Sequence, residues 1–81
     1  MENNLLQLNR LPLNTKGIIH SIECDIYVKK RLLDMGLIKN TCIEPVLNSP
    51  TKGIRAYFVR RGVIGIRTEI ANLIFISIDK I

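Results

Sequence analysis

The sequence predicts a small, mainly β domain: a closed or partly closed barrel of about five short strands, with one helix inserted after the first strand and a short helical turn before the last. Three observations carry this. Short runs of alternating apolar and polar residues are separated by tight turn signals through most of the chain. One stretch, Asp25 to Met35, has helical spacing and is followed at once by a glycine. The whole chain is 81 residues, which is one domain (1–81, core about 8–79). In so small a domain closure is the economical way to remove exposed strand edges.

The elements follow in order. Residues 1–10 are polar around Leu5, Leu6 and Leu8 and carry no assignable period. Leu11-Pro12-Leu13 is too short and too proline-restricted for a central strand and reads as a lead-in or edge segment. Asn14-Thr15-Lys16-Gly17 is a turn signal. Gly17 to Glu23 is the first strand, with Ile18, His20 and Ile22 on one face and Ile19, Ser21 and Glu23 on the other; the pattern leaves open which face is buried. The helix follows. Val28, Leu32 and Met35 lie at i, i+4 and i+7 and share a face. Asp25 can accept a free backbone N–H as its N-cap. Gly36 can take the left-handed position that ends it, and Leu37 can fold back over the last turn. Val28, Leu32, Met35, Gly36 and Leu37 are therefore expected to hold the helix on the barrel, and Leu32→Ala or Met35→Ala to cost about 2–5 kcal/mol.

After a turn at Ile38–Thr41, with Asn40 suited to a left-handed residue, the second strand runs from Thr41 to about Asn48. Ile43, Pro45 and Leu47 share one face. Pro45 cannot donate to a ladder, which places the strand near an edge or bulges it there. Asn48 to Gly53 is a hairpin loop. The third strand, Ile54 to Arg60, carries Tyr57 and Val59 on one face and Ala56, Phe58 and Arg60 on the other. Arg61-Gly62 leads tightly into the fourth, Val63 to Arg67. Thr68 can cap a helical turn through Asn72, and Leu73 to Ile78 is the fifth strand.

Composition bounds the function. Hydrophobic residues make up 47%, enough for a core, and with four aromatics and no Trp that core is aliphatic. No apolar run reaches the roughly 18 residues needed to span a bilayer, and Met1-Glu2-Asn3-Asn4 lacks the order of a signal peptide. These features predict a cytosolic protein whose two cysteines, Cys24 and Cys42, are reduced. Net charge is +5, concentrated in Lys29-Lys30-Arg31 and Arg60-Arg61. It suits nucleic acid, an acidic protein or an anionic membrane surface without choosing among them.

Catalytic patterns are missing. The lone His20 sits between two isoleucines on a strand face, no glycine-rich phosphate loop is present, and Glu44 and Glu69 stand without motif context. The expectation is a protein that is not an enzyme. His20, Cys24 and, if the first two strands pair, Cys42 are weak candidates for a transition-metal site that would suit Zn2+ or Fe2+; the simpler reading is of free cysteines packed as small apolar groups. The basic residues Lys29, Lys30, Arg31, Arg60 and Arg61 are either a solvated face or a docking patch. A small nucleic-acid-binding barrel is the alternative function, supported by a pI of 9.6. Only Tyr27 lies close enough to the first run to stack a base, so nucleic acid is not the expected partner.

Leu32-Leu33-Asp34-Met35-Gly36-Leu37, together with Leu11-Pro12-Leu13, Lys16-Gly17, Asn40-Thr41, Ser49-Pro50 and Ile64-Gly65-Ile66-Arg67, resembles the FeoA family, the small cytosolic partner of the ferrous iron transporter. The similarity runs from about Leu8 to Ile78. It implies an SH3-like barrel with the helix inserted after the first strand. It also implies a role in Fe2+ uptake through binding the cytoplasmic side of the membrane GTPase-permease FeoB. The protein would then be cytoplasmic, peripheral to the membrane only through that partner. The chain departs from the family in having Lys39-Asn40 where Pro-Gly is usual, Pro45 where a β-branched residue is usual, and Phe58 where polar residues are common. An exposed strand edge at Pro45, or Phe58 on the surface, would support weak self-association.

Overall fold

The computed structural model describes residues 5–50, 53–60 and 62–78. In chain order these form β1 (Leu5–Gln7), a 3₁₀ turn (Leu8–Arg10), β2 (Gly17–Ile22), α1 (Ile26–Asp34), β3 (Cys42–Asn48), β4 (Ile54–Val59), β5 (Gly62–Arg67), α2 (Thr68–Ala71) and β6 (Ile74–Ser77). The strands make one six-stranded sheet in the order β1-β6-β2-β3-β4-β5. Every neighbouring pair is antiparallel. The mainly β class and the inserted helix are as the sequence predicts.

The additional strand is β1, which pairs with β6 from Leu5↔Ser77 to Gln7↔Phe75. The turn after it brings Leu8 and then Leu11 into full burial, so Leu8 and Leu11 plug the core while Pro12 and Leu13 of the lead-in stay exposed. Arg55 on β4 fastens this plug: its Nη1 and Nη2 donate to the carbonyls of Asn9 and Leu11, each at 2.6 Å. The guanidinium also lies 5.3 Å from the centroid of the Tyr57 ring.

Two bulges decide which side chains face inward. In β2 the register shifts between Ile19 and Ser21, and Ile19 is the residue wholly buried while His20 is exposed. In β3 it shifts between Pro45 and Leu47. Ile43 and Pro45 therefore point inward, but Leu47 is turned out and is 62% exposed, contrary to the shared face expected of the three. β3 lies between β2 and β4, so Pro45 is not on an exposed edge; the sheet's ends are β1 and β5. Phe58 does face outward, directly across from exposed Val63.

The core is aliphatic around one aromatic, Tyr57, and is completed by Ile19, Ile43, Val59, Ile74 and Ile76 from the sheet. Gly17 packs tightly against it. A Cβ there would collide with the side chain of Ile76 and press on Leu11. α2 begins one residue earlier than expected. Arg67 is its N-cap without a side-chain bond, and Thr68 is already helical, its N–H donating to the Gly53 carbonyl at 2.7 Å.

Candidate functional site

The helix is built as its sequence implies. Asp25 Oδ1 accepts from the Val28 N–H at 2.9 Å. At the other end Gly36 has φ +87°, its N–H donates to the Leu33 carbonyl, and the Leu37 N–H reaches back to the Leu32 carbonyl. This paired 6→1 and 5→2 arrangement closes the last turn and buries Leu37 against the core.

How α1 meets the sheet differs from expectation. Leu32 is its only buried residue. Val28 is half-buried and Met35 is 36% exposed, so Met35 is not a core residue. The reason is helical geometry. Each residue advances about 100° around the axis, so a helix that inserts one ridge, at Leu32, leaves its neighbours on two flanks. Val28, Arg31 and Met35 fall on one flank and face Gly65, Ile66 and Ile70 across a small cleft. Ile26, Lys29, Lys30 and Leu33 fall on the other and face β2.

That second flank makes a concavity of about 750 Å3. It lies where the sheet splits. β2 pairs with β3 only at Gly17 and Ile18 among the described residues; beyond them the chain runs on through His20, Ser21, Ile22 and Glu23 to form one wall. Ile26 and Leu33 of α1 form the other wall, with Ile38 at one end and buried Leu37 at the floor. Ile26, Leu33 and Ile38 are 73%, 55% and 46% exposed, a large aliphatic exposure around one groove. The rim carries Lys29, Lys30 and Lys39 against, among the described residues, one carboxylate, Glu23.

The sequence-derived candidates are dispersed. Lys29 and Lys30 border this groove, Arg31 lies on the opposite flank, and Arg60 sits by the Met35–Gly36 corner. Arg61 lies outside the described residues. Among the described residues, Lys29, Lys30, Arg31 and Arg60 therefore border different clefts. His20, Cys24 and Cys42 are not gathered either. β2 and β3 do pair, but the register sets exposed Cys42 opposite Ile18, and the strand then carries His20 and Cys24 away from it. Burial pushes the Cys24 thiol up, with the Asp25 carboxylate adding to the effect and Lys29 opposing it. Among the described residues no three His, Cys, Asp or Glu side chains converge as a metal site, and these residues do not fit a bound Fe2+. Among those same residues, no helix is long and apolar enough to cross a membrane.

Ile26, Leu33, Ile38 and Lys39 are the groove residues that the sequence reading missed. For Ile26 and Leu33 the signal is a surplus: α1 carries more large apolar residues than one buried stripe requires.

Comparison with known proteins adds a family and a fold. The FeoA domain family matches residues 6–78. A search of the curated proteins finds no match. Among solved structures, a FeoA-like protein from Clostridium acetobutylicum superposes with TM-score 0.85 at 21% identity, covering 100% of this chain and 93% of that one. The FeoA protein from Chlorobium tepidum gives 0.84 at 19%, over 93% of this chain and 71% of its own. The iron(II) transport protein A from Clostridium thermocellum gives 0.85 at 23%, over 90% of this chain and 45% of its own.

Proposed function

The chain belongs to the FeoA family, and on that premise we propose that it is a small accessory protein of ferrous iron uptake. It docks on the cytoplasmic side of a FeoB-type membrane GTPase-permease and modulates Fe2+ transport. The observation that carries this reading is the family match over residues 6–78, which takes in both helices and five of the six strands. Structures of the same fold described as iron(II) transport protein A and as an iron uptake regulatory protein support it. So does the site, a groove walled by aliphatic side chains and rimmed by lysines, which suits recognition of another protein better than bond-making. Lys29 and Lys30, with Arg31 and Arg60 on neighbouring faces, supply a positive field that speeds encounter with an acidic surface.

The test has two parts. Deleting the chain should change uptake of radiolabelled Fe2+ only in cells that possess the permease. The purified protein should bind the solubilised permease, and Lys29→Glu with Lys30→Glu should slow association several-fold at low salt while leaving the melting temperature unchanged. Absence of binding, together with uptake indifferent to the deletion, would refute the proposal.

A further inference from the structure

We propose that the groove between α1 and β2 is the docking site itself, and that it takes an amphipathic, acidic segment of the partner protein. The inference rests on the docking reading above and names the surface and the chemistry. Three features define the occupant. The walls offer Ile22, Ile26, Leu33 and Ile38 above a Leu37 floor, so the occupant brings large apolar side chains. The rim sets Lys29, Lys30 and Lys39 against one Glu23, so it also brings carboxylates, spaced to flank those side chains. The volume, about 750 Å3, holds a few side chains of a segment and not a whole domain face.

Other occupants fit less well. A second copy docking groove to groove would bring two lysine rims together, and the chain's surplus of cations, 12 against 7, offers little to offset them. A flat anionic membrane would meet the lysines and the exposed tips of Ile26 and Leu33, but would leave half-buried Ile22 on the inner wall uncovered. A helix or strand with alternating apolar and acidic positions reaches both levels at once.

The experiment measures binding of the full chain to the detergent-solubilised permease by biolayer interferometry at two salt concentrations. Ile26→Ser with Leu33→Ser should weaken binding at least tenfold, mainly through faster dissociation. Both side chains are exposed, so circular dichroism and the melting temperature should match the parent chain. Lys30→Glu with Lys39→Glu should slow association and flatten its dependence on salt. Leu47→Ser, on the outer face of β3, should change nothing. Parent-like binding by the groove variants would overturn this proposal while leaving the docking reading intact. No binding by the parent chain would remove both. Equally tight binding of the parent chain to phosphatidylglycerol vesicles, lost in the same variants, would assign the groove to the membrane and overturn the protein occupant.

Discussion

Tyr57 is the one aromatic at the centre of an aliphatic core, and it carries a polar handle there. Its ring is fully buried, and its hydroxyl has no hydrogen-bond partner among the described residues. A buried hydroxyl that gives up water without a replacement opposes folding by about 1–3 kcal/mol. The same burial pushes the phenol above its ordinary value of 10.0, with the Arg55 cation pulling the other way. The sign of the pH effect follows. In the unfolded chain Tyr57 begins to lose its proton near pH 10, whereas the folded state holds it longer. Stability from this group is therefore complete below that pH and falls away as pH rises beyond it. Tyr57→Phe keeps the ring and removes the handle. In urea unfolding, the variant should be at least as stable as the parent at pH 7, and its advantage should widen by pH 11. Cys24, also raised, weakens both proteins alike at alkaline pH and cancels from the comparison.

The helix shows what a local sequence signal delivers and where it stops. Asp25, Gly36 and Leu37 fix the ends of α1 through contacts within a turn or two, and all three act as their residue types imply. Spacing alone also grouped Val28, Leu32 and Met35, but it does not say how deeply the helix inserts. Leu32 is buried and Val28 only half-buried against the core, while Met35 stays outside, so the burden falls unequally. Leu32→Ala should cost about 2–3 kcal/mol, toward the low end of buried leucines because the cleft beside it lets neighbours collapse inward. Met35→Ala, at a 36% exposed cap, should cost less than about 1 kcal/mol. Thermal melts of the pair check this; equal losses would mean that Met35 is packed after all. Other elements were unreadable for related reasons. β1 is three residues long with no alternation, and its partner β6 lies at the opposite end of the chain. The outward turn of Leu47 depends on a bulge which Pro45 made plausible but whose register only pairing with β4 fixes. The groove depends on two non-local facts, the split between β2 and β3 and the single-ridge insertion of α1, so Ile26 and Leu33 read as surplus apolar residues and not as its wall.

These features divide the molecule into parts of unequal firmness. β3, β4 and β5 pair over long registers, and β6 is held on both sides, by β1 and by β2. By contrast β2 and β3 share two residue pairs, and α1, which bridges the gap beside them, is anchored by one buried side chain and its C-terminal corner. Local opening should follow the density of buried contacts, so α1 should open without the sheet. Native-state hydrogen exchange tests this. Amides of α1 should exchange through openings smaller in free energy than global unfolding and with a shallower dependence on denaturant, whereas those of β4 and β6 should exchange only with the global transition. Saturating with the docking partner should then protect α1 most, because the groove lies along its flank. Uniform protection in the free protein would mean that the helix and sheet open together, and that the groove is as rigid as the core.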